Sequence, residues 1–189
     1  MIHKDLLCAK SQFFTTKLSA TWNNGEHEVY LKDEDPTAFA HLVDWMYSEC
    51  FPNLGTDADD IWSTAAVYKL ADFLVMVKAK NDLIDKKLQD LEVRQQAYTY
   101  EGLKLIWLSD ARETKLFAMA LRSCVESIME DDADKDDFDG LDDELCRVPT
   151  VMLAILKGIH EYRKEAWGAP YDDNKCEYHD HTDNSSCCT

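Results

Sequence analysis

Ile2-His3-Lys4-Asp5-Leu6-Leu7-Cys8-Ala9-Lys10-Ser11-Gln12-Phe13-Phe14 decides how the first half of this 189-residue chain folds. Its apolar positions, Leu6, Leu7, Phe13, Phe14 and then Leu18, suit two short helices joined near Ser11. Ser11 is placed to cap the second, because a serine hydroxyl accepts a free backbone N–H at a helix start. Downstream, Asn23-Asn24-Gly25 is a turn signal, since these residues tolerate positive φ. His27, Val29 and Leu31 then alternate with Glu28 and Tyr30, the period of a half-buried strand. Asp35-Pro36 opens the next helix as cap and first turn, with Phe39, Leu42, Val43 and Met46 forming one apolar face.

The next helices follow from the same periodicity. One is expected from about Asp59 to Phe73, apolar on both faces and therefore central. Another runs from about Met76 to Leu91, where Lys78, Lys80, Lys86 and Lys87 against Asp82 and Asp85 read as a solvated face. Cys50 to Thr56, with Pro52 and Gly55, is a loop. Tyr98–Leu108, Glu113–Met129 and a helix opening at Pro149 continue the helical pattern. The fold class expected is α+β, mainly helical, with a single strand.

In this order the elements resemble the BTB/POZ domain, especially its divergent fungal copies. The residues that carry the resemblance are His3, Leu6, Leu7, Ser11, Phe13 and Phe14; the extended Glu28–Asp35 stretch; the Tyr-ending helix Pro36–Tyr47; and Val67-Tyr68-Lys69-Leu70-Ala71-Asp72-Phe73 followed by Val77–Leu91. The resemblance covers residues 1–91 and implies a BTB/POZ-like core, followed by a helical C-terminal region over 92–167 and a disordered tail over 168–189. The family's domain begins with a β-hairpin, and only Met1-Ile2 precede His3 here. The core is therefore expected to be N-terminally incomplete, either with its natural start upstream of Met1 or as a degenerate copy. A strand left without its partners offers unpaired edge groups that aggregate or borrow another chain.

The resemblance implies a protein-interaction module, an adaptor or scaffold without catalysis. Members of the family self-associate, and some bind a cullin scaffold of ubiquitin ligases. On this chain the cullin-type surface would hold Tyr47, Glu49 and Phe51, in the loop after the Tyr-ending helix. Trp22 and Trp62 are added as large aromatics able to supply interface energy. The alternatives are a truncated remnant that binds nothing and a metal-binding protein acting through its tail.

Charge narrows the partners. There are 37 acidic and 20 basic residues, a net charge of −17, which repels phosphate and so disfavours nucleic acid and anionic membranes. About half of that excess lies in the acidic loop at 130–144. Asp132-Ala133-Asp134-Lys135-Asp136 imitates the start of a calcium loop, but Asp137 stands where glycine is needed and Asp143 where glutamate is. Cys176, His179, His181, Cys187 and Cys188 form the most ligand-like cluster, at a spacing that matches no standard zinc motif. No Gly-rich phosphate loop or nucleophile elbow is present. Seven scattered cysteines without a framework favour a reducing compartment, cytoplasm or nucleus. No cofactor is called for.

Overall fold

The computed structural model describes residues 2–18, 29–51, 54, 58–94, 97–129, 148–165 and 175–181. The described residues form eight α-helices: α1 Lys4–Lys10, α2 Gln12–Lys17, α3 Pro36–Ser48, α4 Ala58–Phe73, α5 Val77–Arg94, α6 Tyr100–Leu108, α7 Lys115–Met129 and α8 Pro149–Glu165. A 3₁₀ turn, Lys175–Tyr178, follows. The mainly helical character read from the sequence is the observed one. Local signals start several of the helices. The Ser11 hydroxyl accepts the Phe14 N–H at 3.3 Å and itself donates to the Leu74 carbonyl at 2.7 Å, so it caps α2 and ties it to the end of α4. Asp35 caps α3 by accepting the Thr37 N–H at 2.8 Å, with Pro36 in the first turn.

α4 lies at the centre, packed against α3, α5 and α6, which explains why both its faces are apolar. Ala65, Val67, Leu70 and Ala71 are all buried there. α7 then packs on α6 and α8 on α7. The α7–α8 approach is close enough that a Cβ on Gly158 would sit 2.8 Å from Val125 Cγ2, so glycine is required by space at that crossing. One apolar cluster runs from Phe14 and Leu42 through Leu103 to Ile155, continuous across residue 91.

Two corners use the same device. At the end of α4 the Val75 N–H bonds to Asp72 O and the Met76 N–H to Ala71 O, with Val75 at φ 53°. At the end of α6 the Asp110 N–H bonds to Trp107 O and the Ala111 N–H to Ile106 O, with Asp110 at φ 66°. Both are Schellman caps, and neither carries the glycine that the left-handed position favours.

Two sequence expectations are corrected. The strand over 27–31 is absent from its described part: Val29, Tyr30 and Leu31 are in no strand, and no strand occurs among the described residues. The alternation itself is real, with Val29 and Leu31 packed against the core and Tyr30 75% exposed. Alternation reports which side faces the core, whereas a strand also needs a neighbouring backbone to bond. The disordered tail is corrected over 175–181, where Tyr178 and His179 are buried. The acidic loop at 130–144 and Trp22 lie outside the described residues.

Candidate interaction surface

The loop after α3 is built around Trp45. Its indole is buried, and its N–H donates to Asp82 Oδ2 of α5 at 2.9 Å. The ammonium groups of Lys10 and Lys78 each lie 5.5 Å from its ring centroid. Glu49, in the left-handed position that ends α3, bonds Lys10 and approaches Lys78 at 3.7 Å. The Lys10 hydrogen bond and charge, with the Lys78 charge behind them, hold the Glu49 carboxyl below its ordinary range. Glu49 therefore joins α1, α3 and α5 while remaining exposed to solvent.

Of the five expected surface residues, the structure places three on the outside or at its edge. Tyr47 is 55% exposed on α3, and Trp62 is 47% exposed on α4. Glu49 lies two residues beyond Tyr47, on the same loop. Phe51 is elsewhere: it is buried and stacked on Trp45, ring centroids 6.1 Å apart. The loop needs an apolar plug over Trp45, so Phe51 belongs to the core and not to a contact face. Leu54 is the second plug, buried and accepting the Lys87 ammonium on its carbonyl at 3.1 Å.

Sequence reasoning missed part of the exposed apolar surface. Trp62, Ala66, Lys69 and Phe73 follow one another at i, i+4, i+7 and i+11 along α4, and Phe73, the last residue of this central helix, is 50% exposed. Phe13 of α2 lies against Phe73, ring centroids 5.2 Å apart, and Val75 beyond it is 45% exposed. One line of α4 thus carries an exposed aromatic near each end, Trp62 and Phe73, with Ala66 and Lys69 between them and Phe13 at the α2 corner. The signal was available: a helix apolar all round has to leave one line uncovered unless neighbours enclose it fully.

The lysine face of α5 is also corrected. Lys80 and Lys87 are buried, not solvated. Lys80 reaches Asp72 at 2.6 Å and bonds Asp180 of the C-terminal segment. Burial alone would pull its ammonium down, but the bonds to Asp180 and Asp72 outweigh that and leave it above its ordinary value.

Nothing described assembles a reaction centre. His3 starts α1 without a side-chain capping bond, and Cys8 Sγ lies 3.8 Å from the Phe14 carbonyl. Burial pushes the Cys124 thiol up to about 12, which leaves it inert as a nucleophile. In the tail, His179 pairs with Asp85 at 3.1 Å, His181 Nε2 lies 3.3 Å from the Cys176 carbonyl, and Cys176 is disulfide-bonded. Among the described residues no group of three His, Cys, Asp or Glu side chains could hold a metal ion. No described helix is long and apolar enough to cross a membrane.

Residues 1–84 match the family model of the BTB/POZ domain, a match that ends inside α5. No solved structure matches the chain.

Proposed function

We propose, from the BTB/POZ character of residues 1–84, that this protein is an adaptor or scaffold that works by binding other proteins. BTB/POZ domains are protein–protein interaction modules. The observation that carries the reading is the exposed aromatic surface of α3 and α4, with Tyr47, Trp62 and Phe73 about half accessible on helices whose other faces are buried. Large aromatics left in water on a rigid helix are the residues that anchor protein interfaces. No catalytic step is part of the reading.

A cullin-type scaffold or a second copy of the chain is the partner class proposed. The exposed Tyr47, with Glu49 held beside it by Lys10 and the Trp45 carbonyl, supports the cullin version. Cytoplasm or nucleus is the proposed compartment. The free thiols of Cys8, Cys50 and Cys124 favour it, and the Cys176 disulfide runs the other way. The test is light scattering coupled to gel filtration, together with calorimetric titration against a cullin N-terminal domain. Y47A and W62A should each weaken whichever association the parent shows by at least tenfold. A parent that stays monomeric at high concentration and gives no heat with the cullin would sink the reading.

A further inference from the structure

The segment Glu177-Tyr178-His179-Asp180 is held as a bound peptide is held. Its anchor is Tyr178, 2% exposed, whose hydroxyl accepts from Arg122 Nη1 at 3.3 Å. Upstream, the Glu177 carboxylate meets Arg122 at 3.0 Å, and its carbonyl accepts from Lys115 Nζ at 2.6 Å. Downstream, the Asp180 carboxylate bonds Lys80. The Asp180 backbone is read by one side chain: its N–H donates to Asn81 Oδ1 and its carbonyl accepts from Asn81 Nδ2, both at 2.9 Å. His179 pairs with Asp85. The seat is therefore made by α5 and α7, with Tyr68 of α4 nearby, its buried ring 5.6 Å from the Lys80 ammonium.

We infer that this seat is a recognition site for a short acidic, tyrosine-anchored segment of a partner protein, filled in this chain by its own residues 177–180. Three features point to that occupant. A reciprocal pair of bonds to one backbone unit holds a peptide there whatever its side chain is. A buried aromatic supplies the anchor. Lys80 and Arg122 each take one carboxylate of the segment, with Asp72 beside Lys80 and Asp85 facing His179, so the seat selects acids on either side of the Tyr178-His179 pair. The inference deepens the interaction-module reading but uses a face different from Tyr47 and Trp62, so each can fail alone.

The experiment uses the full chain and a labelled peptide of residues 175–181 carrying C176S. In the parent the chain's own segment competes at a high effective concentration, so the peptide binds weakly. The full-length Y178A/D180A variant should bind it at least tenfold more tightly than the parent, because its own segment no longer competes. A peptide with alanine in place of Tyr178 should lose at least tenfold in affinity for that variant, a comparison that needs no further change to the protein. Adding N81A to the opened chain should weaken binding similarly, with circular dichroism confirming that it is folded. Equal binding by parent and opened chain, or indifference to the peptide's tyrosine, would overturn the inference. So would tail-dependent dimerisation of the parent, abolished by Y178A, because the occupant would then be a second copy.

Discussion

Ser11 shows how much one side chain can hold. Its hydroxyl serves α2 through Phe14 and the α4 corner through Leu74, and it is 2% exposed. S11A leaves a buried carbonyl without that donor and removes the cap, so urea melts should show a loss of about 2–4 kcal/mol from the two effects together. A loss under 0.5 kcal/mol would mean the bond to Leu74 contributes nothing. Glu49 adds a pH dependence. Its folded carboxyl lies below the ordinary value of 4.5, so its contribution is full above that value and is lost as pH falls through the folded one. Melts of parent and E49Q should therefore differ at pH 7 and converge on acidification below 4.5; a gap that persists at pH 2.5 would assign the effect to packing. The sequence disclosed the Ser11 cap because capping is a contact three residues long. It did not disclose the Glu49 partner, because Lys10 is 39 residues away and only the folded chain brings them together.

The helices were legible for a similar reason, since a 3.6-residue apolar period is written within the element itself. α4 was expected over Asp59–Phe73 and is found over Ala58–Phe73. Corners were less legible. The α4–α5 turn carries Val75 at φ 53°, where a sequence reader looks for glycine or asparagine. A left-handed β-branched residue costs about 1–2 kcal/mol, and Val75 is 45% exposed, so little packing is lost with its side chain. V75G should raise the thermal midpoint by roughly 2–4 °C, the shift expected of about 1 kcal/mol in a chain of this size. A lower midpoint would show that the valine side chain contributes more than its backbone costs. The strand expected at 27–31 is missing from its described residues, 29–31, on the opposite ground: sequence shows alternation within a segment but not whether a neighbour lies alongside it.

At the scale of the molecule the family match and the folding unit do not coincide. The match ends at residue 84, in the middle of α5, whereas Leu88 and Leu91 further along that helix are buried and α4 packs on α6. A fragment ending at residue 84 should lack a cooperative urea transition, while one ending at residue 165 should keep it; a sharp transition in the shorter fragment would contradict a shared core. The lysines of α5 were misread at this scale too, because Asp180 on Lys80 and the Leu54 carbonyl on Lys87 come from distant parts of the chain. The docked C-terminal segment has one more consequence, in time rather than space. Asn81 and Asp180 are 99 positions apart, and Tyr178 is translated well after Arg122, the last groove residue it touches. At about 5–20 residues per second, the segment is synthesised only a few seconds after α8, the last described α-helix to be made. The segment is thus the last described piece of the chain to be made, and its docking closes a fold whose other contacting residues already exist.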